Sequence, residues 1–216
     1  MYFAQGLFVF LVLGSALTIA RVPIGRFWRA ARQPFVLAFS TASSEAALPL
    51  ALENMERLGI PKHIVGFVLP TGYSFNLDGS TLYLALASVF VAQAAGVNMP
   101  LGTQILMMLT LMLTSKGVAA VPRASLVILA GTLQTFHLPE EGIAVILGVD
   151  ALMDMCRTSV NLLGNCVASA VVARWEGVPI VKEGVEVEML ADPGQDQEPF
   201  TNPAIASVSP EVSELL

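Results

Sequence analysis

Charge is scarce in this chain. Asp, Glu, Lys and Arg make up 13% of its 216 residues, against 55% hydrophobic residues and a mean hydropathy of +0.69. That balance excludes an ordinary soluble domain and points to a polytopic membrane protein. Cysteine is scarce too. Cys156 and Cys166 are the only two, and ten residues along one helix place them about 15 Å apart, beyond disulfide reach. Both read as packing residues with no redox role. Histidine occurs twice, and no His, Cys and carboxylate cluster has metal-ligand spacing, so no cofactor is expected. The net charge of −6 is local. From Glu176 to Leu216 nine acids face one lysine, a net of −8, whereas the other 175 residues carry ten bases and eight acids, a net of +2. Nothing there calls for nucleic acid. Residues 176–216, acidic and rich in Pro, Ser and Gln, read as a disordered cytoplasmic tail, leaving residues 1–175 as the membrane domain.

What stands out against this background is DALMDMCRTSVNLLGN, residues 150–165, inside an apolar run from Gly142 to Ala173. On a helix, Asp150, Asp154, Arg157, Thr158, Asn161 and Asn165 fall within an arc of about 100°. Intramembrane polar stripes mark substrate paths, ion paths or paired relays. A structural Asp154–Arg157 pair at i,i+3 is the plainer alternative, but one pair does not need six polar positions.

In chain order, Tyr2 to Ala20 is uncharged and long enough to span a bilayer. Arg21, Arg26, Arg29 and Arg32 follow it, which argues against a signal peptide and places the next segment in the cytoplasm. Phe35 to Leu52 is interrupted by Ser40-Thr41-Ala42-Ser43-Ser44-Glu45. Two half-length helices joined by a polar turn, a re-entrant hairpin, fit that pattern. Ile64 to Ala95 holds one charge, Asp78, in thirty-two residues. It is broken by Pro70, Gly72 and Asn76-Leu77-Asp78-Gly79, so freed carbonyls together with Asn76 and Asp78 offer oxygens to a hard cation such as Na⁺. Met99 to Ser115 and Ala124 to Phe136 flank a basic stretch, and the shorter second arm favours a second re-entrant hairpin over two ordinary spans.

A repeat supports that reading. Ala46-Ala47-Leu48-Pro49 recurs as Ala119-Ala120-Val121-Pro122, each shortly after serine. Asn76 follows the first proline by 27 residues and Asp150 follows the second by 28. Paired interrupted segments in corresponding halves are the sequence pattern of a secondary transporter. The topology this gives is inverted. The first hairpin enters from the cytoplasm and the second from outside, and Arg174 and Trp175 mark the cytoplasmic end of the last span.

The motifs SSEAALP (43–49), NLDG (76–79), SKGVAAVP (115–122) and DALMDMCRTSVNLLGN (150–165) resemble the glutamate transporter family, the dicarboxylate/amino acid:cation symporters. The likeness is nearest to bacterial proton/sodium–glutamate symporters and covers Tyr2 to Trp175. It implies an all-α transport core with two opposed re-entrant hairpins, a broken transmembrane helix and a final polar-striped helix. It also implies a bacterial cytoplasmic membrane, a lipid bilayer as solvent, and elevator motion against a scaffold that forms homotrimers. The scaffold half of the family is absent from this sequence, which reads as a fragment or shortened reading frame.

The resemblance gives substrate binding to Ser43, Ser44, Ser80, Val118, Ala119, Ala120, Asp154, Arg157, Thr158 and Asn161. Arg157 would hold the side-chain carboxylate and Asp154 the ammonium group, which favours glutamate or aspartate over a C4-dicarboxylate. A neutral amino acid would leave Arg157 unpaired. Coupling falls to Asn76, Asp78, Asp150, Asn161, Asn165 and Glu45, with Asn76, Asp78, Asn161 and Asn165 as the sodium ligands. Asn165 stands where strongly sodium-coupled relatives carry Asp, which weakens a sodium site. Glu45, at a dry hairpin tip, reads either as a proton carrier or as a salt-bridge partner. Two rival classes remain: an intramembrane aspartyl protease using Asp78 and Asp150, and a non-transporting partner or inert fragment.

Overall fold

Proline, glycine and the polar interruptions cut the apolar chain into helices, and among the described residues all regular structure is helical. The computed structural model describes residues 1–115 and 124–180. The basic turn at 116–123, with Val118, Ala119 and Ala120, lies outside them, as does the tail from residue 181. The first span comprises α1 (Tyr2–Phe8), a π-helical turn (Val9–Leu13) and α2 (Gly14–Ile19). Then come α3 (Ile24–Thr41) and α4 (Ser44–Arg57), α5 (Lys62–Phe75) and α6 (Asp78–Ala94). The last four are α7 (Leu101–Thr114), α8 (Ala124–Thr135), α9 (Gly142–Leu147) and α10 (Asp150–Trp175).

The expected long apolar spans are present at Tyr2–Ile19 and Lys62–Ala94, the second interrupted at Asn76 and Leu77. At 1.5 Å per residue, α4, α7 and α8 reach only about 18–21 Å, short of a hydrocarbon core of about 30 Å. The first span turns Phe3, Phe10, Leu11 and Ile19 outward, while Gln5, Leu13 and Leu17 face the protein. Spacings of four drift around an α-helix by about 40° per step, and the wider π turn takes up part of that drift.

α3 and α4 form a helical hairpin. Its tip is Ala42, in the left-handed region at φ 49°, followed by Ser43, whose hydroxyl accepts from the Ala46 N–H at 3.3 Å. This is an N-cap at the start of the SEAALP segment. The hairpin arms are also joined lower down. Pro34 lies inside α3 and has no N–H, so the Ala30 carbonyl lacks its usual helical donor. The buried Asn54 of α4 supplies it, donating Nδ2 to the Ala30 oxygen at 2.9 Å.

α10 is the spine. It packs on α1 to α6 and on α9. One buried cluster joins its second half, Leu162, Leu163 and Val167, to Leu17, Phe27, Met55 and Leu69. The other joins Tyr83, Leu84 and Val91 of α6 to Met107, Leu111, Leu129, Leu133 and Ile146, with Met153 against it. α10 ends in a left-handed Gly177 (φ +76°), whose N–H bonds the Arg174 carbonyl at 3.1 Å while Val178 bonds that of Ala173 at 3.0 Å. This C-terminal cap returns the chain so that Ile180 joins the core.

The Pro34–Asn54 relation sets a double-mutant test. Asn54→Ala is expected to lower stability in detergent by about 1–2 kcal/mol, because a buried carbonyl loses its donor. In a Pro34→Ala background the loss is expected to shrink, since the new N–H reaches Ala30. Equal losses in both backgrounds, read by thermal unfolding, would refute the substitution of one donor for the other.

Candidate functional site

The polar stripe of α10 and the break between α5 and α6 meet face to face. A helix that starts at Asp78 leaves its first backbone N–H groups without intrahelical partners. Asn161 answers two of them. Its Oδ1 accepts from the Gly79 N–H at 2.8 Å and the Ser80 N–H at 3.2 Å, and its Nδ2 donates to the Ser80 hydroxyl at 2.9 Å. One turn further on, Asn76 donates Nδ2 to Asn165 Oδ1 at 3.0 Å.

Glycines allow this approach. A Cβ at Gly79 would stand 2.5 Å from the Arg157 carbonyl oxygen and 3.0 Å from its Cα. A Cβ at Gly164 would meet Asp78 Oδ2 at 2.5 Å, and one at Gly72 would meet Asn165 Oδ1 at 2.5 Å. The oxygens of Asn76, Asp78, Asn161 and Asn165 thus come from two facing elements across a seam cleared of Cβ atoms.

Arg157 lies deeper, 2% exposed. Its Nε donates to Asp154 Oδ1 at 2.8 Å and its Nη1 to Asp150 Oδ1 at 3.3 Å. Tyr83 completes the cluster. Its ring centroid lies 4.5 Å from the guanidinium carbon and its hydroxyl donates to Asp150 Oδ1 at 2.9 Å. Cation–π contact and two charge-assisted bonds compensate the buried guanidinium. Asp154 is the least buried member, with 26% of its side chain exposed, and Thr158 donates to its Oδ1 at 3.4 Å.

The expected residues therefore separate into groups. Asp150, Asp154, Arg157, Thr158, Asn161 and Asn165 share the inward face of α10, and Asn76, Asp78 and Ser80 oppose them from the break. Ser43 and Ser44 sit at the first hairpin tip, where Ser43 caps α4. Val118, Ala119 and Ala120 lie outside the described residues. Glu45 is exposed on this chain and accepts from the Tyr73 hydroxyl at 3.1 Å. Arg157 pairs with its own helix, so the expectation that a neutral substrate would leave it unpaired does not hold. Among the described residues no group of three or more His, Cys, Asp or Glu is placed to hold a metal ion.

The sequence gives no role to Tyr83, Gly164 or Gln5, and reads Gly72 and Gly79 only as breaks in the helix, not as points of close approach. Gln5 is completely buried in the first span, donating Nε2 to the Gly79 carbonyl at 3.1 Å and accepting from Cys156 at 3.1 Å. Its signal was present: a lone carboxamide in an otherwise apolar first turn. Cys156 is thus hydrogen-bonded, while Cys166 packs in the core.

The glycine seam is open to a direct test. Gly79→Ala is expected to lower stability by about 1–3 kcal/mol, because backbone rather than a flexible side chain must give way. Gly66→Ala, where a Cβ meets nothing within 4 Å, is the control and is expected to be neutral or to stabilise by up to about 1 kcal/mol. Similar melting temperatures for the two variants would refute the close approach.

Comparison with known proteins finds transporters. The chain is 49% identical over 176 residues to a proton/sodium-glutamate symport protein of Geobacillus stearothermophilus, covering 82% of this chain and 42% of that protein. It is 46% identical over 175 residues to a proton/glutamate-aspartate symporter of Escherichia coli, covering 81% and 40%. It is also 42% identical over 210 residues to a C4-dicarboxylate transport protein of Agrobacterium fabrum, covering 97% and 46%. The chain therefore spans less than half the length of these relatives. All three are named as transporters, so the chain is not an enzyme, and the protease reading of Asp78 and Asp150 falls. A family model described as the sodium:dicarboxylate symporter family matches residues 1–175, and the chain belongs to that family of membrane transporters.

Proposed function

We propose that this chain forms the transport core of a secondary symporter for an acidic amino acid, L-glutamate or L-aspartate, coupled to H⁺, Na⁺ or both. The observation that carries the proposal is the buried arginine with an aspartate on either side of it. Arg157, Asp150 and Asp154 together bring one positive and two negative charges. An acidic amino acid offers a carboxylate to the guanidinium fork and an ammonium group to Asp154. A C4-dicarboxylate adds two negative charges and nothing that Asp154 can hold. Even an acidic amino acid deepens the negative charge at a membrane-embedded site, which calls for a co-bound cation or proton.

Asn76, Asp78, Asn161 and Asn165 are the groups proposed to face a cation. A carbonyl oxygen has two lone pairs: Asn165 Oδ1 accepts one hydrogen bond and keeps a lone pair for a cation, whereas Asn161 Oδ1 already accepts two and would have to release a backbone N–H to join it. Asn165, being neutral, supplies a weaker field than a carboxylate would. On this reading the two hairpins are re-entrant, dip from opposite sides, and alternately cover the site. The core then moves against a scaffold, homotrimeric in the assembled transporter, supplied by a longer protein or a partner chain. Dicarboxylate transport is the competing reading, favoured by the likeness to a C4-dicarboxylate transport protein.

Calorimetric titration of the chain in detergent distinguishes the two. L-Glutamate is expected to bind saturably, Arg157→Ala to abolish binding, and succinate to compete poorly. Asp154→Ser is expected to cost glutamate affinity by about 10–100-fold, as a charge-assisted bond of about 1.5–3 kcal/mol is removed. Equal binding of succinate by the unaltered chain would overturn the role given to Asp154.

Coupling has its own test. Glu45 is tied to α5 through the Tyr73 hydroxyl, so a proton on Glu45 acts directly on the element that carries the break. Glu45→Gln is expected to flatten the pH dependence of uptake into proteoliposomes. An unchanged pH profile would remove Glu45 from the proton path.

A further inference from the structure

Among the described residues Gln5 is the largest of the polar side chains with no exposure at all. Its helix lies on the outside of the bundle, with Phe3 and Phe10 turned away from the protein. A carboxamide in such a span is costly unless every polar atom is used. Both ends of Gln5 are used, and both land on the site. The Gly79 carbonyl can accept only from the NH₂ end, which fixes the amide orientation and leaves the oxygen for the Cys156 thiol. Gly79 lies in the first turn of α6 beside Ser80, and Cys156 adjoins Arg157. The Gly79 residue is therefore clamped from two sides, its carbonyl by Gln5 of α1 and its N–H by Asn161 of α10.

We propose that Gln5 is a positioning residue for the transport site. It holds the first turn of α6 at a fixed distance from α10 and so sets where Ser80, Asn161 and Arg157 stand relative to one another. Without the amide donor, the Gly79 carbonyl keeps only its place in the α6 helix. The first turn of α6 is then held to its neighbours from one side only, by Asn161 of α10, and its distance from α1 is no longer fixed. The first span thereby becomes part of the site's geometry although it presents no group to a substrate. The inference about ligand affinity rests on the acidic amino acid reading above. The clamp itself does not.

The experiment compares the whole chain with Gln5→Leu and Gln5→Glu in detergent. Two quantities are read, backbone hydrogen exchange of the segment 76–84 and L-glutamate affinity. Leucine keeps bulk and suits an apolar span but cannot donate. Glutamic acid donates to Gly79 when protonated and cannot when ionised. Gln5→Leu is expected to speed exchange in 76–84 at unchanged size and helicity, and to weaken glutamate binding about tenfold. Gln5→Glu is expected to match the unaltered chain at low pH and Gln5→Leu at high pH. That pH step is one that loss of packing alone does not produce, and it decides the matter within one folded protein should Gln5→Leu fail to fold.

Unchanged exchange, or faster exchange with unchanged affinity, overturns the proposal and leaves the glutamate reading intact. An unaltered chain that binds no glutamate, with the exchange change present, overturns the glutamate reading and supports the clamp. No binding and no exchange change overturns both.

Discussion

A helix that begins inside an apolar chain interior has backbone N–H groups with no water to meet, and the packing around the break answers that constraint. The break at Asn76 and Leu77 creates such a helix start at Asp78. Asn161 satisfies the Gly79 and Ser80 donors from the facing helix, so α6 and α10 cannot separate without stranding polar groups in an apolar medium. The consequences spread outward. α10 must carry a polar face, that face must be buried, and neighbouring helices must leave room for it. Glycine at 72, 79 and 164 is how the room is made.

The charges follow from the same enclosure. A guanidinium as buried as Arg157 needs partners of opposite sign, and Asp150 and Asp154 provide them from one helix at spacings of seven and three residues. Tyr83 covers the guanidinium with its ring and holds Asp150 with its hydroxyl, so the cluster is fixed from α6 as well. The result differs from a simple structural ion pair. Asp154 remains partly open, and the α10 face continues through Thr158 to Asn161. A pair that served stability alone gains nothing from that opening, because an exposed ion pair contributes little.

Much of this was legible in the sequence because it is periodic. Six polar residues on one helical face and a Pro, Gly, Asn and Asp interruption in an apolar run are local signals, and helix period and backbone chemistry are enough to read them. The pairing of the break with the stripe was less direct, but each half needed a polar partner. What stayed hidden depends on contacts between distant segments. Tyr83 reads as an ordinary aromatic in an apolar helix until Asp150 is opposite it. Asn54 reads as a loop-side amide until the missing proline donor at 34 is matched to the carbonyl of Ala30. Ala42 gives no sign of a left-handed conformation, since glycine or asparagine is the usual choice there. Glu45 gives no sign in the sequence of the Tyr73 hydroxyl, 28 residues further on, that becomes its hydrogen-bond partner.

On the proposed reading, coupling between cation and substrate needs no separate device. Asn161 belongs to both halves of the site. Its amide caps the break, where Asn76 and Asp78 bring their oxygens, and it lies one helical turn from Arg157, where the carboxylate would bind. A cation that draws the break toward α10 pulls on the same amide that sets the distance from Ser80 to the arginine cluster. A substrate held there resists its release in turn. Reciprocity of this kind is required by linkage whenever two ligands share one equilibrium, and a single hydrogen-bonded asparagine between them is a short physical route for it. The seam makes the route sensitive at Gly79, where the group across it is the Arg157 backbone rather than a side chain that can turn away. On that reading a shift of the backbone at Gly79 bears directly on the backbone of Arg157, which it faces with no Cβ between.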